Sequence, residues 1–223
     1  MRKRTLLLFL IAVFVAGCSW QTTKNLSEFP LHVGTTWVYA YEAYEPSASD
    51  PTQIVKATYQ LTQTVIETET NSSYFVAHVT SDYQLMNADM EWRGWYVDGL
   101  SKETWYVTNG QKIFETRFFD SKNIDEDRMI LEYVFPLEMD SRWCQLQNPP
   151  CQYVGWRVVT SQSSYETPIG KFDDCYHMRD IYNGGGLFQK FCVGIGVVTM
   201  KYDHIGTSFG FEQTLIDYSI GTP

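Results

Sequence analysis

Basic residues are scarce in this sequence, which has 17 lysines and arginines against 26 aspartates and glutamates. The formal net charge is −9 at pH 7. A chain with this charge repels the phosphates of nucleic acids and the anionic head groups of lipids. Nucleic-acid binding is therefore excluded, and any attachment to a membrane has to come from another feature of the chain.

A hydrophobic run long enough for a permanent membrane span is lacking at the start of the chain. The apolar stretch Leu6–Gly17 has 12 residues, whereas a spanning helix needs about 20. Three basic residues precede it, at Arg2, Lys3 and Arg4. This order of a basic segment and a short apolar segment is typical of a secretory signal peptide.

The end of the apolar stretch, Val15-Ala16-Gly17-Cys18, resembles the lipobox of bacterial lipoproteins. The resemblance implies that the Cys18 thiol receives a diacylglyceryl group and that the chain is cut just before it. A lipid anchor of more than one acyl chain holds a protein firmly at a membrane. We therefore predict a cell-envelope protein that is anchored to a bacterial membrane and faces outside the cytoplasm. The alternative is an ordinary secreted protein with a chance cysteine.

Removal of residues 1–17 as signal peptide leaves residues 18–28 as a lipidated, polar tether and residues 29–223 as one domain. The removed segment holds three basic residues and no acidic one, so the net charge moves from −9 to −12. Membrane contact is therefore expected through the lipid alone.

Closely spaced cysteine pairs such as C-x-x-C are absent, which disfavours a zinc site, and no other metal or cofactor is expected. Four cysteines follow Cys18, and an even number in an exported chain predicts two disulfides. Cys144 and Cys151 flank a short loop that contains Pro149-Pro150. They are expected to form one bridge, and Cys175 and Cys192 the other.

The register of a hairpin supports the second bridge. If Asn183-Gly184 forms a two-residue type I′ turn, Tyr182 pairs with Gly185, and Cys175 then lies opposite Cys192. A longer loop through Gly184–Gly186 would instead place Cys175 opposite Gly194. The sequence leaves both registers open.

Helix signals are scarce, whereas strand signals recur along the chain. Aromatic and β-branched residues fill Thr36–Tyr44, and period-two alternation runs through Gln53–Thr70 and Ser73–Met86. Such alternation is typical of half-buried strands. Turn signals separate the runs, at Asn71-Ser72, Asp98-Gly99, Asn109-Gly110 and Asn183-Gly184. We predict an all-β fold, an antiparallel meander of long strands that forms a curved sheet or a half-open barrel, in one part or two.

An internal similarity suggests how the two parts begin. Residues 29–37 and 135–143 share four of nine positions at an offset of 106 residues. The shared residues are Phe29 and Phe135, Pro30 and Pro136, Leu31 and Leu137, and Trp37 and Trp143. Proline prevents strand pairing at this point, and the tryptophan enters a strand. Either an internal repeat or chance reuse of one strand-opening motif explains the pattern.

Four motifs resemble a group of uncharacterised bacterial lipoproteins. They are FPLHVGTTWVY at 29–39, TPIGKFDDCY at 167–176, FCVGIGVV at 191–198 and LIDY at 215–218. The resemblance implies long antiparallel strands, akin to the half-open barrels of lipoprotein carriers, and no catalytic residues. Within the third motif, Gly194 and Gly196 are expected on one face of a strand, where an aromatic ring or another backbone approaches closely.

Recognisable catalytic motifs are also lacking. None of His32, His78, His177 and His204 belongs to a G-x-S-x-G, HExxH or Walker pattern, and the paired acids give no sign of convergence on a cleft. The principal hypothesis is a non-catalytic lipoprotein that binds an envelope protein or polymer. The alternatives are a carrier for a lipid or hydrophobic ligand, which a cavity lined by Trp and Tyr would favour, and an enzyme with an unrecognised site.

Replacing Cys18 by alanine should abolish incorporation of a clickable fatty acid in a bacterial host, because the thiol is the predicted acceptor of the lipid. The matched control is Cys144→Ala, which should keep the label because Cys144 is expected in a disulfide. Unchanged labelling of Cys18→Ala would refute the lipoprotein interpretation.

Overall fold

The computed structural model describes residues 28–70, 73–94, 97, 100–120, 124–146, 151, 155–182, 185–204, 206 and 208–222. The predicted signal peptide, Cys18 and the tether up to residue 27 lie outside these residues. So do the turns predicted at Asn71-Ser72, Asp98-Gly99 and Asn183-Gly184.

Twelve strands make up the described part of the chain. They are β1 (Thr36–Pro46), β2 (Ile54–Thr70), β3 (Phe75–Ala88), β4 (Glu103–Thr108), β5 (Lys112–Thr116), β6 (Ile130–Val134), β7 (Arg142–Cys144), β8 (Trp156–Thr167), β9 (Gly170–Tyr182), β10 (Gly185–Cys192), β11 (Gly196–His204) and β12 (Gly210–Ser219). A single 3₁₀ turn at Glu126–Arg128 precedes β6. No helix among the described residues is long and apolar enough to cross a membrane.

The strands form one antiparallel sheet of two six-stranded meanders. Its order is β6-β5-β4-β3-β2-β1-β12-β11-β10-β9-β8-β7, so the first and last strands of the chain pair in the middle. The two edge strands approach each other, with a bridge between Ile130 and Leu146 and a 2.9 Å hydrogen bond from Leu131 N to Gln145 O. The prediction of an all-β antiparallel fold, as a curved sheet or a half-open barrel, is confirmed: the sheet is barrel-like and nearly closed.

The hairpin register favoured by the sequence is present. Strands β9 and β10 pair Tyr182 with Gly185 and Cys175 with Cys192, which rules out the longer loop. Cys175 and Cys192 form a disulfide with Cα atoms 4.0 Å apart. The other predicted pair, Cys144 and Cys151, is also bonded, with Cα atoms 5.5 Å apart.

Each meander begins with a residue in the left-handed backbone conformation. The backbone of this residue is hydrogen-bonded to the second strand of the same meander. In the first meander this residue is Gly34, with φ +86°. Gly34 N donates to Val65 O, Val65 N donates to Thr35 O, and Thr35 N donates to His32 O, each at 2.9 Å.

The second meander repeats this arrangement around Asp140, with φ +63°. Asp140 N donates to Val159 O at 3.1 Å, Val159 N to Ser141 O at 2.9 Å, and Ser141 N to Glu138 O at 3.1 Å. The two segments of similar sequence therefore make the same three contacts. An origin of the meanders by duplication stays a prediction.

The phenylalanines of the two similar segments meet inside the sheet. Phe29 and Phe135 lie 5.6 and 5.8 Å from Phe191, measured between ring centroids, and Leu31 and Leu137 are buried beside them. These apolar side chains fill the interior at the end of the sheet where β1 and β7 begin, called here the closed end. The opposite end, where β1 and β7 finish, is called the open end.

The roles of Gly194 and Gly196 differ from the expected pair on one strand face. Gly194 lies in the turn between β10 and β11, and Gly196 begins β11. Both have positive φ values, +76° and +104°, which glycine adopts at no steric cost. A Cβ atom on Gly196 would lie 2.9 Å from the ring of Phe29, so the expected close approach of an aromatic ring occurs at this residue.

Replacing Cys175 and Cys192 together by alanine should lower the free energy of unfolding by about 3 kcal/mol, because the unfolded chain loses a covalent loop constraint. Chemical denaturation measures the change. The strand content in circular dichroism should persist, since the hairpin keeps its backbone pairing. Under reducing conditions the variant and the parent protein should be similarly stable. A difference below about 1 kcal/mol between the oxidised parent protein and the variant would show that the disulfide does not stabilise the fold in this way.

Candidate functional site

Near the closed end the sheet is split between β11 and β12, and two aromatic side chains of β1 reach across the split. Strand β11 pairs with β12 only from Thr199 onward. On the stretch before it, backbone carbonyls accept from side chains: Trp37 Nε1 donates to Ile195 O at 2.6 Å and the Tyr39 hydroxyl donates to Val197 O at 2.9 Å. These bonds fix both rings in the interior. Burial raises the pKa of Tyr39, which keeps its hydroxyl a hydrogen-bond donor.

The interior of the sheet contains a cavity of about 220 Å³. Aromatic rings provide much of its wall, contributed by Trp37, Tyr39, Tyr41, Tyr106, Tyr133 and Phe211. The rings nearest the closed end are buried, whereas Arg117, which also lines the cavity, is exposed. The cavity therefore begins above the apolar closed end and reaches solvent toward the open end.

Tyr41 organises the aromatic wall near the middle of the cavity. Its ring stacks on Phe211, with centroids 5.2 Å apart and planes at 17°. Tyr83 and Tyr59 meet it edge-on, at 5.6 and 6.2 Å. Stacked and edge-to-face rings stabilise one another beyond simple burial, so this part of the wall is preorganised.

A buried arginine links three strands beside the cavity. Arg157 on β8 is 1% exposed. Its Nε and Nη2 donate to the two carboxylate oxygens of Asp180 on β9, at 2.6 and 2.7 Å. Its Nη1 donates to Glu132 on β6, to the carboxylate at 2.6 Å and to the backbone carbonyl at 2.8 Å. Arg157 thus attaches edge strand β6 to the opposite meander.

Gln189 on β10 completes the surroundings of the guanidinium. Turning its side-chain amide places the oxygen 2.9 Å from Arg157 Nη1 and 3.2 Å from Nη2. The planar Arg157 group also lies 5.6 Å from the ring centre of Tyr133, within cation–π range. The positive charge is therefore satisfied on its edges and on one face.

Glu115 differs from the other acids near the cavity because it lacks such a partner. It lies opposite Tyr106 in the pairing of β4 with β5, and both side chains line the cavity. Among the described residues, no hydrogen bond or ion pair reaches its carboxyl group. Burial, and then repulsion from Glu132, raise the pKa of Glu115 to about 8, although Arg157 and Arg117 oppose this shift. Glu115 therefore keeps its proton to a higher pH than an ordinary carboxyl group does.

Burial also raises the pKa of Glu132, and the negative charge of Asp180 acts in the same direction, whereas Arg157 lowers it. Three acids on three strands thus surround one guanidinium. Glu115, Glu132 and Asp180 are strand residues, so the expectation for the paired acids on loops does not concern them. Asp180 is the direct neighbour of Arg157 in the pairing of β8 with β9, whereas Glu115 and Glu132 come near this pair only because the sheet closes.

The histidines lie elsewhere. His177 on β9 is on the outer face of the sheet, with Nε2 3.2 Å from the Ser163 hydroxyl. Burial and the nearby Lys190 lower the pKa of His177. His78 stacks on Trp105, with ring centroids 4.2 Å apart. In the part of the chain that the structure describes, no group of three His, Cys, Asp or Glu side chains could hold a metal ion.

Of the residues that the sequence singled out, the two disulfides, Phe29, Leu31, Phe135 and Leu137 support the scaffold, and Trp37 lines the cavity. The sequence did not single out Glu115, Glu132, Arg157 or Asp180. One signal was available. Arg157 lies two residues before the buried Val159, on the same inward face of β8, and an arginine at an inward strand position needs buried partners.

No protein-family model matches this chain, and no curated protein matches it. Two solved structures have limited similarity to it. A predicted lipoprotein from Parabacteroides distasonis is 13% identical with a TM-score of 0.46, over 86% of this chain and 97% of that chain. A predicted exported protein with a YmcC-like fold, from Bacteroides fragilis, is 13% identical with a TM-score of 0.43, over 84% of this chain and 96% of that chain. Neither likeness is close enough to say what this chain does.

Replacing Arg157 by methionine should lower the free energy of unfolding by about 3–5 kcal/mol near pH 7, because it leaves buried carboxylates without their counter-charge. As the pH falls, the Arg157→Met variant should recover part of the lost free energy of unfolding. The remaining acids, without the guanidinium, have pKa values raised in the folded state, so the folded protein binds protons more tightly than the unfolded chain.

The matched control is Arg179→Met, at an exposed position on the same strand as Asp180, which should change stability by no more than about 0.5 kcal/mol. Urea denaturation at several pH values gives both results. A loss below about 1 kcal/mol for Arg157→Met would show that the network does not hold the meanders together.

Proposed function

We propose that this protein is a non-catalytic lipoprotein of the bacterial cell envelope that binds a small ligand in the interior cavity. The observation that carries the proposal is the cavity itself, whose aromatic walls are combined with several polar and charged side chains. Small-molecule sites in proteins use apolar surface for affinity and polar groups for orientation.

The volume of the cavity defines the size of the ligand. An apolar cavity of about 150 Å³ accommodates benzene, and sites for drug-sized molecules begin at about 300 Å³. At about 220 Å³, the cavity suits a molecule somewhat larger than benzene. A complete diacyl lipid is too large for this space, so the cavity favours a small ligand over the lipid cargo considered from the sequence.

The path of the chain supports an orientation at the membrane. The backbone carbonyl of Glu28 accepts a 2.9 Å hydrogen bond from Gly194 N at the closed end. In the proposed arrangement, the tether from lipidated Cys18 reaches the domain at this end. The exposed rim around Arg117 then faces away from the membrane, where a ligand can enter from the aqueous compartment. Binding of an envelope protein or polymer on the outer surface stays a prediction.

A variant that fills the cavity should test the function. Ser81 on β3 is buried and lines the cavity, so Ser81→Phe should occupy part of the ligand's space. Thr80→Phe, on the other face of the same strand, is the matched control. Saturation-transfer NMR with a panel of benzene-sized to indole-sized molecules measures binding to the full-length protein in a non-ionic detergent.

The parent protein and Thr80→Phe should bind members of the panel, whereas Ser81→Phe should lose this binding while keeping its thermal stability within a few degrees. Binding that is the same in Ser81→Phe, or a parent protein that binds none of the panel, would overturn the proposal.

A further inference from the structure

We infer that the cavity selects a small organic monocation whose ammonium group lies against the Glu115 carboxylate. This inference rests on the proposed function and names the chemical class of its ligand. It follows from an imbalance of charge in the interior, where the buried acids outnumber the buried bases, and from the aromatic surface beside the acid that has no partner.

The charge in this part of the interior comes from the Arg157 guanidinium and from three carboxyl groups, those of Asp180, Glu132 and Glu115. A guanidinium has five N–H donors. In Arg157, four hydrogen bonds go to Asp180 and to the side chain and backbone of Glu132, and the turned amide of Gln189 lies within reach of the rest. Arg157 therefore has no donor left for Glu115.

Arg117 is the one base among the described residues that line the cavity, and its position does not correct the imbalance. It follows β5 at the rim, where it is exposed, and no ion pair joins it to Glu115 among the described residues. The interior therefore has a carboxyl group that an incoming cation could neutralise. An incoming anion would meet Glu115 and Glu132 instead, and like charges at short distance repel each other.

The walls around Glu115 also suit a cation. Tyr106 is its cross-strand neighbour, and Tyr133 and Tyr41 contribute further rings to the same cavity. The faces of such rings attract organic ammonium groups, most strongly at desolvated sites. A divalent metal ion is a poorer fit. Calcium, for example, requires six or more oxygen ligands, and the aromatic walls do not supply them.

Binding should be coupled to proton release because the cation favours ionised Glu115. The raised pKa of about 8 means that a proton occupies the site at lower pH. Raising the pH from 6 to 7 increases the ionised fraction of Glu115 by up to about tenfold, so the affinity for the cation should rise by up to about the same factor, and the gain should level off above pH 8. The groups that act on Glu115 are Glu132 and Tyr133 from β6, Tyr106 from β4, Arg157 from β8, and Arg117 next to its own strand.

Three probes of similar size and different charge test the inference: 2-phenylethylammonium, 2-phenylethanol and phenylacetate. Isothermal titration calorimetry should use the full-length protein in a non-ionic detergent at pH 6, 7 and 8. At pH 8 the parent protein should bind the cation at least about tenfold more tightly than the alcohol, and phenylacetate most weakly. Titrations in two buffers of different ionisation enthalpy should show release of a fraction of a proton at pH 7.

Glu115→Gln should bind the cation and the alcohol with similar affinity, and its affinity for the cation should not change between pH 6 and 8. The matched control is Glu69→Gln, at an exposed position on β2, which should keep the preference and its pH dependence. Glu115→Asp should keep part of the preference, because it retains the charge.

The outcomes separate this inference from the proposed function. If the parent protein binds the alcohol or phenylacetate as tightly as the cation, or if Glu115→Gln keeps the cation preference, the ligand class is wrong while small-ligand binding stands. If none of the three probes binds the parent protein, the ligand class is overturned, and the wider NMR panel then decides whether the cavity binds small molecules at all.

Discussion

The buried contact of Arg157 with Asp180 and Glu132 is the interaction on which the closed shape of the sheet depends. Backbone pairing joins the two meanders fully on one side only, through β1 and β12. On the other side a short bridge joins Ile130 on β6 to Leu146, just after β7. The Arg157 guanidinium supplies much of the attachment between the meanders that strand pairing does not. It holds both the carboxylate and the backbone carbonyl of Glu132 on the edge strand. Buried charges of this kind are costly alone and stable only as a complete set.

The same network lies beside the cavity, above the packed apolar closed end of the interior. The guanidinium and its acids have fixed hydrogen-bond directions, and Trp37 and Tyr39 are held by hydrogen bonds of their own. These bonds oppose a collapse of the side chains into the cavity. Glu115 lines the cavity close to this network, where burial raises the pKa of its carboxyl group.

The closed end shows how two similar short sequences produce one structural element. Phe29 and Phe135 arrive from different meanders and pack against the same ring of Phe191. The left-handed residues Gly34 and Asp140 turn the chain at equivalent points, so that each tryptophan enters the first strand of its meander. Burying these side chains shields one end of the interior from water. Glu28, the first described residue, lies at that end, and the cavity reaches solvent at the other.

The sequence by itself determined the all-β fold and the two strand-opening motifs, and it favoured the hairpin register that pairs Cys175 with Cys192, which the structure then decided. These features depend on period-two alternation, turn chemistry and residue counting, which are local. Only the tertiary structure decided the site. Glu115, Glu132, Arg157 and Asp180 lie on four strands. Arg157 and Asp180 are neighbours in one hairpin, but nothing local indicates that Glu115 and Glu132 meet them. That meeting depends on how far the sheet curls before its edges approach, and the curvature is a property of all twelve described strands together.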